Sequence, residues 1–185
     1  MCIRDSFTPK LIFPLFFLFC FVGTLQSQIV ISEFSAANQG DFNTSLGDDN
    51  TDWIELQNQG STAVDIGGYF LSDRLSNPDK WEIPAGTMLA AGDYMRFWCS
   101  GLDGNFGGEL HTDFKVTQTR NSEDIVLADP SETVIDFHEL DVPNQIHHSY
   151  GKDANNNWGI STNPTPGNPN AVSYTHLTLP TTPYV

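Results

Sequence analysis

The sequence predicts an all-β protein, an antiparallel β-sandwich, on three observations. Short segments rich in β-branched and aromatic residues recur along the chain, each bounded by Gly, Pro, Asn or Asp. At least seven such segments follow one another at the spacing that sandwiches show. After residue 27 no stretch keeps a 3.6-residue apolar period for three turns, so we predict no helix.

The predicted strands are, in order, residues 29–34, 52–58, 67–73, 81–83, 94–99, 124–129 and 133–140. In the second strand apolar and polar residues alternate, which places Ile54 and Leu56 on the core face and Glu55 on the opposite face. Pro84 lacks the N–H group that a continuing strand needs, and this predicts that the fourth strand is short and lies at an edge.

Two polar stretches interrupt or follow these strands. Residues 38–51 form a predicted long loop, and residues 155–170 form an exit segment rich in Asn, Pro and Gly. Between them Gly67 and Gly68 permit a bend at the start of the third strand. No internal repeat accompanies these features.

Both ends of the chain are expected to be foreign to the gene. Residues 1–6 are what a transposon end used to prepare sequencing libraries encodes, and residues 172–181 read as the reverse complement of the same adapter. We therefore assign 1–6 and 172–185 to adapter-derived sequence. The natural reading frame is then expected to have continued beyond Ala171.

Residues 7–27 have the organisation of a secretory signal peptide. The single cation Lys10 precedes an apolar run over residues 11–22, and small or polar residues follow it. The run is shorter than the roughly 20 apolar residues that a transmembrane helix needs. We expect cleavage after Ser27, and a secreted or cell-surface protein with no membrane span in its mature part.

Residues 28–171 form one predicted domain that contains a single cysteine, Cys99. A lone cysteine forms no internal disulfide, so the core must stabilise the domain, and Cys99 itself lies among apolar residues typical of a buried site. Cys20 would suggest a lipoprotein anchor, but Phe19 precedes it where a small residue is expected.

The chain is strongly acidic. It contains 8 Lys and Arg against 23 Asp and Glu, a formal net charge of −15. Such a chain lacks the basic surface that neutralises nucleic-acid phosphates or an anionic membrane. We expect no direct binding of nucleic acid.

Six segments carry a resemblance to a known family: ISEF, DWIELQNQGSTAVDIGGYFLSD, WEIPAGTMLAAGDYMRFW, HTDFKV, SEDIVLADPSETVIDF and WGISTNPTPGNPN. In this order they resemble the lamin tail domain, a module that also occurs in exported bacterial proteins, and the bacterial form is the more similar. The resemblance covers Ile29 to Asn170 and implies an immunoglobulin-like antiparallel β-sandwich, in agreement with the strand pattern. Because the matched residues are those of a core and its turns, the resemblance implies a fold more than an activity.

One acidic loop precedes the second strand and offers oxygen ligands. Asp48, Asn50 and Asp52 match the first three ligand positions of a calcium loop. Trp53 stands where that loop needs Gly, and Gln59 where its bidentate Glu belongs, which excludes an EF-hand. A looser, weak calcium site formed by Asp48, Asn50 and Asp52 is one hypothesis, and a solvated acidic loop is the other.

The sequence offers no recognisable catalytic constellation. His147 and His148 would point to opposite faces of a strand, and neither an HExxH motif nor a pair of cysteines supports a zinc site. There is no G-x-S-x-G motif, and Ser100 follows a strand with no predicted helix behind it. We therefore predict no enzyme, no catalytic residue and no cofactor apart from the weak calcium hypothesis.

These observations favour a non-catalytic module of a larger exported or cell-surface bacterial protein. Such a module mediates interaction or anchoring by holding a protein or cell-surface partner through its loops or an exposed edge strand. Two alternatives stay open. One is an accessory domain of an exported nuclease or phosphoesterase whose catalytic domain lies beyond Ala171, company that the resemblance implies. The other is a calcium-dependent adhesion module.

Overall fold

A computed structural model of the chain describes residues 28–47, 50–117, 123–140 and 145–170. The predicted signal peptide, the adapter-derived ends and Asp48 lie outside these ranges. The described residues form thirteen strands and no helix, so they also contain no helix that could cross a membrane. The strands are β1 (Ile29–Ser35), β2 (Trp53–Asn58), β3 (Val64–Asp65), β4 (Phe70–Ser72), β5 (Trp81–Glu82), β6 (Met88–Leu89), β7 (Tyr94–Trp98), β8 (Gly104–Phe106), β9 (Glu109–His111), β10 (Asp124–Ala128), β11 (Val134–Glu139), β12 (Ser149–Lys152) and β13 (Trp158–Ser161).

Two main sheets build the molecule. A seven-stranded sheet has the order β13-β12-β1-β2-β7-β9-β8, a four-stranded sheet has the order β11-β10-β4-β5, and β3 pairs with β6. One buried apolar cluster contains residues of both main sheets, among them Ile31 and Leu56 from the first and Leu71 and Leu127 from the second. The predicted immunoglobulin-like β-sandwich is confirmed, and a single pair among these strands, β7 with β9, is parallel.

A β-bulge in β1 decides which of its side chains face the core. The register against β2 shifts between Ile31 and Glu33, so that Ser32 is the extra residue. Ile31 pairs with Leu56 before the bulge, and both belong to the core. In a regular strand without a bulge Glu33, two residues after Ile31, would lie on the core face, because side chains alternate along a strand. The bulge therefore places Glu33 on the outer face, directly opposite Glu55.

The outer face of the seven-stranded sheet is also covered. Ile54 and Leu56 lie in the core as predicted, but Trp53 and Glu55 on the opposite face are just as buried, at 0% and 1% exposure. Phe42, from the predicted long loop, packs edge-on against Trp53 with ring centroids 6.0 Å apart. The predicted exit segment contributes strand β13 and then crosses the same face.

The four-stranded sheet begins at a sharp bend. Gly68 has a φ of +85°, which favours glycine, and a Cβ at Gly67 would lie 2.7 Å from the Cα of Ala85. Strand β5 lies at the edge of this sheet, as the proline after it predicts. Cys99 is 2% exposed within the core cluster, which confirms its prediction as a buried small side chain.

Candidate functional site

The structure brings two of the three predicted calcium ligands to one place. Asp48 lies outside the described residues, whereas the exposed Asn50 and the half-buried Asp52 line the same cavity of about 310 Å³. Asp52 Oδ1 accepts a hydrogen bond from the Asn38 backbone N–H at 2.9 Å. Burial, assisted by the charge of Glu123, raises the pKa of Asp52 to about 7. No three His, Cys, Asp or Glu side chains of the described ranges are arranged to hold a metal ion, and the calcium site stays a prediction.

A second acidic pair is formed by Glu33 and Glu55, which are register partners on β1 and β2. Both side chains are buried, at 0% and 1% exposure. Glu33 accepts a hydrogen bond from the Ser149 hydroxyl and from the Thr165 backbone N–H, which lies 3.1 and 3.2 Å from its two oxygens. Glu55 Oε2 accepts the Gly167 N–H at 2.5 Å, and its Oε1 has no hydrogen-bond partner among the described residues.

This pair holds fewer than two negative charges at neutral pH. Burial raises the pKa of Glu55 to about 8, and the charge of Glu33 adds to that effect. The Gly167 N–H, the Ser32 hydroxyl and the Arg96 charge act in the opposite direction without cancelling it. Burial also raises the pKa of Glu33. Below pH 8 Glu55 is therefore mainly protonated, which relieves the repulsion between carboxylates directly opposite each other on adjacent strands.

A third feature is a groove beside β7. Strand β9 pairs with β7 only at Phe97 and Trp98, so the Tyr94–Arg96 part of β7 has no strand neighbour on that side within the described ranges. A groove of about 490 Å³ lies there, and we call it the β7 groove. Its lining includes Pro84, Ala85, Met88, Met95, Arg96, Glu109 and Leu110.

The β7 groove combines exposed and partly buried apolar side chains with one ion pair. Met88 on β6 is 55% exposed, and Met95 and Leu110 are partly buried against the core. The Arg96 guanidinium lies 4.1 Å from the centroid of the Trp98 ring and 3.8 Å from Glu109 Oε1. Such a surface can receive an apolar side chain and, beside it, a polar or charged one.

A serine and a histidine meet at the end of β7, but not as a catalytic pair. His111 Nδ1 lies 2.9 Å from Ser100 Oγ, and the His111 ring packs edge-on against Phe106. Burial lowers the pKa of His111, whose Nε2 has no partner in the described part of the chain. A catalytic imidazole needs a third group that orients its other nitrogen and a surface that substrate can reach. His111 is fully buried, so this pair serves packing.

His147 and His148 lie in the turn before β12 and not in a strand. His147 has a φ of 65°, and its Nδ1 lies 2.8 Å from Asp41 Oδ1. His148 Nδ1 lies 2.9 Å from the backbone oxygen of Ile146. The two rings thus have separate partners, and the structure does not bring them together as ligands.

Comparison with known protein families gives a match. A family model described as Lamin Tail Domain matches residues 24–141, which is well over half of the 185-residue chain. The matched region contains β1 to β11, the predicted calcium ligands and the β7 groove, and ends before β12 and β13. A search of curated proteins found no match.

Proposed function

The chain belongs to the lamin tail domain family, and from this premise we propose that it binds an extended segment of a partner protein in the β7 groove. The family is a non-catalytic, immunoglobulin-like module of the protein-interaction type. The module proposed here is part of a larger exported or cell-surface protein, to which it contributes binding or anchoring. The signal-peptide pattern of residues 7–27 supports export.

The open edge of β7 is the observation that carries the proposal. A strand edge presents backbone N–H and C=O groups that an extended peptide can pair with, and side-chain pockets beside it then select the sequence. Residues Tyr94–Arg96 have such an edge, and the β7 groove lies against it. The partner segment is therefore expected to add a short strand beside β7.

The chemistry of the groove defines the partner segment further. Met88 and Met95 offer flexible, polarizable side chains, which adapt to different apolar residues. The net charge of −15 attracts basic partners and repels acidic ones. We therefore expect an extended segment with one large apolar residue for the groove and Lys or Arg on either side of it.

Selection from a displayed library of random peptides tests this proposal. Peptides enriched on the purified chain are expected to share an apolar residue flanked by basic ones, and their dissociation constants are measured by calorimetry. Met88→Asp should weaken them at least tenfold, because it puts a charge into the groove. Leu75→Asp is the matched control, since Leu75 is 43% exposed and does not line the groove. Peptides that bind Met88→Asp as tightly as the original chain would overturn the proposal.

A further inference from the structure

Residues 163–170, which we call the strap, cross the outer face of the seven-stranded sheet. Their sequence is NPTPGNPN, and they contain no ionisable side chain. The strap is fixed at three points by hydrogen bonds: Thr165 to Glu33, Gly167 to Glu55, and Asn170 to the sheet backbone. In the last of these, Asn170 Nδ2 donates to the backbone oxygens of Ser32 at 2.8 Å and of Lys152 at 3.0 Å.

Two of these three points are carboxyl groups that face each other. Glu33 and Glu55 are register partners on β1 and β2, and the strap helps to bury both. The Thr165 N–H donates to both oxygens of Glu33, whereas the Gly167 N–H donates to only one oxygen of Glu55. Glu55 Oε1 stays buried without a donor from the described residues, so an ionised Glu55 is poorly solvated beneath the strap.

We propose that the strap is seated on the sheet in a proton-dependent manner: it stays closed while the Glu33–Glu55 pair holds a proton and opens when both carboxyls are ionised. Opening lets water reach both groups, and in water each carboxyl regains its ordinary acidity. The free energy that holds the strap closed is then smaller at high pH than at low pH, because the closed state binds more protons than the open one.

The direction and range of this effect follow from the pKa values. Burial raises the pKa of Glu55 from 4.5 to about 8, and raises that of Glu33 as well. Opening of the strap therefore becomes more favourable as the pH rises from about 4.5 to about 8. Above pH 8 Glu55 causes no further change in the opening equilibrium. Each pKa unit is a factor of ten, so the opening equilibrium changes by on the order of a thousandfold at most from Glu55 alone.

Other charged or titratable side chains lie around the pair on β7, β11 and β12. On β7, burial raises the pKa of Tyr94 above an already high value, and Arg96 stays a cation. On β12, the Lys152 ammonium is bound to Asp136 of β11. Arg96 also lines a cavity of about 180 Å³ together with Glu55, Pro166 and Gly167. Because Arg96 lines the β7 groove as well, opening the strap would change the surroundings of a groove residue. The proton-dependent strap is independent of what the groove binds.

Hydrogen exchange of the full chain, resolved to single amides by NMR, tests the proposal. After correction for the intrinsic rate at each pH, the opening equilibrium at the Thr165 and Gly167 amides should rise a hundredfold or more from pH 5 to pH 8. Glu55→Gln, which keeps the shape of the neutral side chain, should reduce this rise to less than tenfold. Glu109→Gln is the matched control and should leave the rise unchanged, because Glu109 contacts Ser45 and Arg96 and not the strap.

Three results would overturn the inference. The first is a constant opening equilibrium between pH 5 and pH 8 in the unmodified chain. The second is an opening free energy at Thr165 and Gly167 equal at each pH to that of core amides such as those of Val126 and Leu127, which would mean that the strap opens only by global unfolding. The third concerns Asn170→Ala, which weakens the third fixing point without changing the carboxyls. This variant should raise the opening equilibrium at every pH and keep its pH dependence. An opening equilibrium that does not change with pH in this variant contradicts the proposal.

Discussion

The Lys152 ammonium and the Asp136 carboxylate form an ion pair, 2.5 Å apart, that joins the two sheets of the sandwich. Lys152 lies on β12 of the seven-stranded sheet and Asp136 on β11 of the four-stranded sheet. Their side chains are 9% and 14% exposed. The same Asp136 oxygen accepts the Ile31 backbone N–H at 2.8 Å, so this carboxylate ties β11 to β1 as well.

This geometry predicts unequal effects of removing the two partners. Asp136→Ala leaves a nearly buried ammonium without its partner and deprives the Ile31 N–H of its acceptor, and should lower the free energy of unfolding by about 3 kcal/mol. Lys152→Met leaves Asp136 bonded to Ile31 and should cost about 1 kcal/mol. Urea unfolding of both single variants and the double variant gives the coupling energy. Equal and small effects of both changes would show that the pair does not stabilise the contact between the sheets.

The buried carboxyls predict that stability falls as the pH rises. Glu55 has a pKa of about 8 in the folded chain and 4.5 as its ordinary value, so the folded state holds the proton over this range and the unfolded state does not. Its contribution is fully present below pH 4.5 and is lost as the pH rises to about 8, at most about 5 kcal/mol. Asp52, whose pKa is raised from 3.8 to about 7, likewise lowers the stability as the pH rises between these two values.

Urea unfolding at pH 5 and at pH 8 measures this dependence. Glu55→Gln should be less sensitive to pH than the original chain, because the amide has no proton to lose. If the original chain were more stable at pH 8 than at pH 5, the carboxyls would be solvated in the folded state.

The bend before β4 predicts that a side chain at Gly67 would clash with the backbone, although the φ of Gly67 is one that any residue can adopt. In Gly67→Ala the new Cβ would lie 2.7 Å from the Ala85 Cα and 2.9 Å from the Gly86 N, both backbone atoms that cannot turn aside. We expect a loss of about 2–3 kcal/mol in the free energy of unfolding. Gly92→Ala is the control: Gly92 has a φ of +76° and no atom within 4 Å of a new Cβ, so strain alone should cost about 1 kcal/mol. A smaller loss for Gly67→Ala than for Gly92→Ala would contradict the close approach.

The calcium hypothesis predicts a pH-dependent thermal shift. Calcium needs ionised Asp52, whose pKa is about 7, so millimolar calcium should raise the melting temperature by a few degrees at pH 8 and by less at pH 6. Asp48→Asn combined with Asp52→Asn should abolish the shift. Identical melting curves in calcium and in EDTA at pH 8 would leave residues 48–52 as a solvated acidic loop.

Local patterns were enough to predict most of the framework. The alternation around Ile54 and Leu56, the proline after Trp81 and the apolar surroundings of Cys99 each depend on neighbours in sequence, and each has the predicted place in the fold. Six strands of two to four residues within the described ranges were missed, namely β3, β6, β8, β9, β12 and β13. β8 contains a Gly and an Asn, and β12 and β13 are interrupted by Gly, so their composition resembles that of loops.

The candidate sites depended on contacts that no local pattern contains. Glu33 and Glu55 are 22 positions apart, and they meet on the outer face only because the bulge at Ser32 turns Glu33 away from the core. Thr165 reaches Glu33 from 132 positions away, and the segment that carries it reads in sequence as an exit loop. The sequence by itself determined seven of the strands and the apolar face of the second, because alternation is a property of adjacent residues. The tertiary structure decided which carboxyls are buried and what covers them, because burial depends on register and on the path of distant segments.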